Sequence, residues 1–144
     1  MMDFEKALKF VLKAKQIGIE EKGAEVSVAI TDQAGHPVLV ARGKPQSWHG
    51  PYMATGKARL AAAFMKPTEQ LMDQWAERAY FPISLTEVIP GGVTLNKGGY
   101  PIFENGVCIG AIGVGGGSPA VDDYVAKAAV TAFDGHKPAG ADAD

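Results

Sequence analysis

The sequence predicts an α/β domain of the α+β kind, in which helices cover an antiparallel sheet. Three observations lead there. Apolar residues recur at helical spacing at both ends of the chain. Between them lie short apolar or alternating segments that read as strands. Two pairs of these are joined by short turns, which connect antiparallel neighbours. The order is α-β-β-α-α-β-β-β-α, giving five strands in one sheet flanked by helices.

The first helix begins after Asp3, a residue suited to cap it. Phe4, Leu8, Val11 and Leu12 mark one helical face, and Gly18 or Gly23 ends it. Glu25 to Ile30 alternates and reads as the first strand. Asp32-Gln33-Ala34-Gly35 is a turn: Asp bonds its own following backbone and Gly accepts positive φ. Pro37 to Arg42 is the returning strand. Gly43 to Pro51 is a loop containing Trp48 and His49, and the Ala-rich segment Tyr52 to Phe64 is the second helix. Thr68 is placed to cap a third helix that runs through Leu71 and Trp75 to about Ala79. Pro82 and Pro90 bound a stretch expected to be irregular. Three strands follow: Val93 to Leu95, Tyr100 to Phe103, and Val107 to Val114. The last two are joined by Asn105-Gly106, a favoured hairpin pair. The final helix starts after Ser118-Pro119 and carries Val121, Val125, Ala129 and Phe133.

The chain has 144 residues, 47% of them hydrophobic and 21% charged, which is a globular composition. No internal repeat or linker divides it. Residues 1–134 are expected to form one domain, and residues 135–144, which include His136, a polar tail. The net charge of −2 lacks the basic stripe of a nucleic-acid binder. No apolar run reaches the ~20 residues needed to span a bilayer. Acidic residues follow the first methionines at once, so no secretory signal is expected and the cytoplasm is the default location. The single cysteine, Cys108, rules out an internal disulfide and reads as a buried, inert thiol.

Glycine is the unusual count: 18 in all, with six between Gly106 and Gly117. Gly113-Val114-Gly115-Gly116-Gly117-Ser118 leads from a strand into a helix. Backbone amides without Cβ neighbours, beside a helix start, suit a carboxylate or phosphate. The same residues also suit a tight turn with close packing. Asp122 belongs to the first turn of that helix. His49, beside Trp48, lies in a loop just before the second helix. Its imidazole can ligate iron or act as acid or base near neutral pH. Lys57 and Arg59 follow on that helix as candidates to join it. His36 reads as a turn residue, Trp75 as core, and Lys97 as a solvated turn residue. Tyr80-Phe81-Pro82 suits a pocket wall or a subunit contact. No His-x-x-x-His or Glu-x-x-His pair is present, so no dedicated zinc or di-iron site is expected.

Several motifs together resemble one family. They are Asp32-x-x-Gly35, Ala54-x-x-Lys57-Ala58-Arg59-x-Ala61-Ala62, Pro90-Gly91-Gly92, Gly98-Gly99-x-Pro101-Ile102, and the run from Gly106 to Gly117, followed by Asp122 and Ala126. In order and spacing they resemble the GlcG/HbpS family, which includes the C-terminal domain of PduO-type proteins. The resemblance covers about residues 4 to 133. It implies a profilin-like domain with a five-stranded antiparallel sheet, assembly as a homo-oligomer, and a small-molecule ligand, with haem or a related tetrapyrrole foremost. Gly115 stands where members commonly have Ser. The first helix carries lysines where PduO-type haem binders use a His.

Two functions follow as expectations. One is a haem-binding protein with His49 as iron ligand, Trp48 beside it, and ligand contacts at Gly113, Gly115, Gly116, Gly117, Ser118 and Asp122. The other is a cofactor-independent isomerase or hydrolase acting on a small carboxylate from aromatic ring-cleavage catabolism. There His49 would be the acid or base, and Arg59 or Lys57 would hold the carboxylate.

Overall fold

A computed structural model describes residues 1–135 and 137; His136 and residues 138–144 of the expected tail lie outside the described residues. Four strands form a single antiparallel sheet in the order β2-β1-β4-β3. They are β1 (Ser27–Asp32), β2 (Pro37–Ala41), β3 (Gly99–Glu104) and β4 (Val107–Gly115). Helices α1 (Phe4–Lys22) and α5 (Pro119–Ala132) cover one face. Helix α2 (Gly50–Phe64) covers the other, with α3 (Thr68–Gln74) and α4 (Tyr80–Val88) beside it.

The α1 cap is as expected: the Asp3 carboxylate accepts from the Lys6 amide at 2.9 Å, and Gly23 closes the helix at φ +60°. Its buried face is not the expected one. Phe4 and Leu12 are exposed, and the core contacts come from Ala7, Phe10, Val11, Ala14, Ile17 and Gly18. Small residues let the helix settle onto α5 and the sheet, so reading periodicity from bulky side chains alone chose the wrong stripe.

Alternation along the strands sorts the two layers. Val28, Ile30, Ile112 and Val114 face α1 and α5. Ala29 and Ala111 face Ala54, Ala58, Ala61 and Ala62 of α2. Gly113 lies on this second face, and a Cβ there would collide with the Ala54 carbonyl. The strand glycines therefore serve a backbone-close helix–sheet contact.

Two expected elements differ. Val93 to Leu95 is no strand, so the sheet has four strands rather than five. It lies over α2, with Thr94 against Gly56 and with Val93 and Leu95 packed on the Leu60–Leu71–Trp75 cluster. Its apolar side chains are buried by helices, not by a sheet. The stretch expected to be irregular contains α4. Pro82 sits in the first turn of that helix, where its missing N–H breaks no intrahelical bond.

Thr68 does not cap α3; Pro67 holds the cap position, and the Thr68 hydroxyl instead accepts from the Gly99 amide at 3.0 Å. This contact belongs to a protected sheet edge. Along the outer side of β3, Gly99 is held by Thr68, Pro101 has no N–H, and the Phe103 amide donates to the Gly135 carbonyl at 2.7 Å. Gly135, expected to open the tail, is buried and part of this edge.

Candidate functional site

The loop before α2 is pinned at both ends on one side chain. The Gly43 amide donates to Ser27 Oγ at 2.9 Å, and a Cβ at Gly50 would stand 2.6 Å from the same oxygen. Between these points the chain presents Trp48 and His49, and Tyr52 follows on the first turn of α2. Trp48 meets His49 edge-to-face at 6.0 Å between ring centroids, and meets Tyr52 in the same manner at 6.3 Å. Trp48 is 67% exposed, Tyr52 73%, and His49 is also exposed, so the three rings form an open platform rather than a pocket. His49 takes the N-cap position in αR conformation. Its carbonyl accepts from the Met53 amide, and its side chain makes no capping bond.

The glycine run meets this helix start. A Cβ at Gly115 would lie 2.9 Å from the Gly50 carbonyl oxygen and 3.3 Å from Met53 Cβ, and Gly116 adopts φ +92°. The Gly turn and the His49 loop are thus neighbours. The turn, however, is already supplied with an anion. The Gly117 amide donates to Asp122 Oδ1 at 2.9 Å, and Ser118 Oγ accepts from the Val121 amide at 3.2 Å. Beneath it, Lys57 Nζ donates to Asp122 Oδ2 at 3.1 Å and to the Val114 carbonyl at 2.8 Å. These side chains are 2% and 3% exposed. Burial pushes the Asp122 carboxyl above its ordinary range, against the downward pull of the Lys57 ammonium and the Gly117 amide. This pair ties α2, the end of β4 and the start of α5 together. Lys57 and Asp122 are therefore partners of each other inside the fold.

Arg59 points elsewhere. Its Nε donates to the Gly35 carbonyl at 3.3 Å, and a terminal nitrogen to the Gly92 carbonyl at 2.8 Å. It bridges the β1–β2 turn to the turn after α4. Ten residues of helix separate it from His49, roughly 15 Å at 1.5 Å per residue. Of the two candidates to join His49, Lys57 is turned into the interior and Arg59 toward the β1–β2 turn.

Other residues fall near their readings. His36 is an exposed turn residue whose Nδ1 lies 3.1 Å from Asp32 Oδ2, and Trp75 is buried against Phe64 and Phe81. Cys108 is half-buried, and burial pushes its thiol up, which keeps it protonated. Lys97 is not simply solvated but stands 3.3 Å from Glu69. Two features escaped the sequence reading. Tyr52 joins the Trp48–His49 pair, a relation that its spacing of four from Trp48 could have signalled. Tyr100 donates its hydroxyl to Asp123 at 3.0 Å, and burial with that carboxylate raises the phenol. Cavities of about 280, 260 and 250 Å³ open beside Tyr100, Phe10 and Pro82 respectively, away from the ring platform. Among the described residues no group of three His, Cys, Asp or Glu could hold a metal ion, and no helix is long and apolar enough to cross a membrane.

Residues 2–131 match the family model for haem-degrading, HbpS-like proteins. The chain belongs to the HbpS-like family. Solved structures agree. HbpS of Streptomyces reticuli, in a double-mutant form, superposes with a TM-score of 0.76 at 28% identity, covering 92% of this chain and 86% of that one. A haem complex of PduOC gives 0.77 at 26% identity, over 90% and 94%. The ORFY protein of Klebsiella pneumoniae gives 0.80 at 20% identity, over 92% and 90%, which speaks for the fold alone. No sequence among the curated proteins matches significantly. Membership in the HbpS-like family supports a small-molecule ligand in general terms.

Proposed function

We propose that this HbpS-like protein binds haem or a related tetrapyrrole, which His49 would hold through an imidazole nitrogen. One observation carries the reading: at the start of α2 an exposed imidazole, with no hydrogen-bond partner among the described residues, stands beside the exposed rings of Trp48 and Tyr52. The donor set fits. A neutral imidazole nitrogen is an iron ligand, and flat aromatic side chains give a macrocycle apolar surface. A bound haem would bring iron-centred ligand and redox chemistry, and His49 with the rings of Trp48 and Tyr52 would orient it.

Ser27 and Gly50 fix the loop that holds His49, and the close fit of Gly115 on Gly50 keeps the helix start against the sheet. The PduOC–haem complex lends this reading support from within the family. The carboxylate-enzyme reading draws no support from the geometry. Its anion-holding groups, Lys57, Arg59 and the Gly117 amide, are all engaged within the chain. Titration of the purified protein with hemin tests the proposal. A saturable Soret shift that disappears in His49→Ala is expected. A protein that shows no saturable shift, or one unchanged by that substitution, overturns it.

A further inference from the structure

The outer margin of β3 is answered at its two ends and open between them. Gly99, Pro101 and Phe103 turn their backbone groups away from β4. Thr68 takes the Gly99 amide and Gly135 the Phe103 amide, while Pro101 between them has no N–H to offer. A cavity of about 280 Å³ lies there, lined from α3 on one side and α5 on the other. Its walls are Met65, Pro67, Tyr100, Pro101, Phe103 and Val130. An apolar body set against Pro101 therefore strands no backbone donor. The polar groups are exposed. Lys127 and Thr131 lie one turn apart on α5, on the same face as buried Val130, and Gln70 comes from α3. Lys127 is the one formal charge among the described lining residues, and it forms no ion pair with another described residue. Asp123, one turn earlier on α5, receives the Tyr100 hydroxyl at 3.0 Å and feels the Lys127 charge only through space.

We infer that this cavity binds a small monocarboxylate with an apolar body, its carboxylate at Lys127 and its chain or ring against Pro101 and Phe103. Size sets the body. An apolar cavity of about 150 Å³ accommodates benzene, so 280 Å³ takes one ring, or a chain of about eight carbons, together with a carboxylate. Charge sets the head group. One ammonium beside two neutral hydrogen-bonding side chains, Gln70 and Thr131, suits one carboxylate and not a dianion. Met65 closes α2 at φ +53°, and its flexible thioether side chain adapts the wall to the body it meets. An added peptide strand does not suit the same margin, since Pro101 cannot donate to it and the amides on either side are taken. Trp48 and His49 line no part of this cavity, so it is separate from the ring platform.

Calorimetric titration of the full chain with octanoate tests the site. The expected result is saturable binding at about one octanoate per chain. Lys127→Gln should weaken it roughly tenfold, and Thr131→Trp, which fills the mouth, should abolish it. Both positions are exposed, so the circular dichroism and thermal midpoint of either variant should match the parent protein. Octanol, with the same chain and no charge, should bind roughly tenfold more weakly than octanoate, and octylamine should not bind. His49→Ala should bind octanoate as the parent does. No saturable binding, or equal binding by the parent and Thr131→Trp, overturns the site. An affinity unchanged in Lys127→Gln, or equal for octanol and octanoate, overturns the carboxylate at Lys127. Loss of octanoate binding in His49→Ala would move the ligand to the ring platform and overturn the cavity as its place.

Discussion

The two ends of α2 treat their ionisable residues in opposite ways. At its start His49 is exposed, unbonded at its ring and flanked by exposed aromatic rings. Further along, Lys57 is buried against Asp122, and Arg59 spans two carbonyls. All three are basic side chains on or beside one helix. A charged group whose hydrogen-bonding capacity is spent inside the chain holds the fold, whereas one left with open valence at the surface can hold a ligand. The family motif contains Lys57 and Arg59, and the geometry gives both an architectural reason to be there.

Substitutions along α2 should separate the two roles, and the largest effect on stability is expected at Lys57. Lys57→Met leaves Asp122 as an uncompensated buried carboxylate and should destabilise by about 3–5 kcal/mol. Urea denaturation of Lys57→Met against the double change with Asp122→Leu checks this. The double variant should regain most of the loss, since apolar replacement of both partners is often neutral. If it is as unstable as the single change, the pair is not what holds the three elements.

Next comes Gly113→Ala, which forces a methyl group into the Ala54 carbonyl and should cost about 1–3 kcal/mol. A thermal midpoint equal to that of the parent protein would contradict the close contact of α2 with β4. Arg59→Ala frees two carbonyls and should cost about 1–2 kcal/mol while leaving hemin affinity unchanged. A loss of hemin binding in that variant would return Arg59 to the site.

His49→Ala should shift stability by no more than about 0.5 kcal/mol, as for an exposed position, yet abolish the Soret shift. The smallest effect concerns the β1–β2 turn. Burial pushes the Asp32 carboxyl up, but the bonds from His36 and Ala34 outweigh it, and the group ends below its ordinary 3.8. A carboxyl lowered by folding stabilises the protein above its unfolded pKa. That stability is lost as pH falls through the lower, folded value. Asp32→Asn should therefore flatten the acid limb of the stability curve between those two values and leave the rest unaltered.

The sequence made most of the architecture legible because local chemistry decided it. Asp3 and Ser118 cap their helices, Asn105-Gly106 turns between β3 and β4, and alternation sorts β1 and β4. It failed where an apolar segment had a choice of partner. Val93 to Leu95 has strand-like residues, but a helical cluster buries them. The stripe of α1 is displaced from Phe4 and Leu12 because Ala7, Ala14 and Gly18 share its contacts with Phe10, Val11 and Ile17. At the site, His49 and Trp48 were visible as a ring pair next to a helix start. A tight turn for the glycines and an ion pair for Lys57 were open alternatives, but the partner was not visible, because the buried pair joins positions 65 residues apart. Spacing along a chain cannot tell whether a charge looks outward or is answered from within.

The sheet's two margins also differ, and this limits how copies of the chain can join. On the β3 side every outward amide is answered or missing: Thr68 holds Gly99, Pro101 has none, and Gly135 receives Phe103. That margin is a terminus for strand addition. Among the described residues, association by sheet extension is left with the β2 side, and two copies joined there would have consumed that growing end in each. Such contacts could make a pair but could not run on into a fibre.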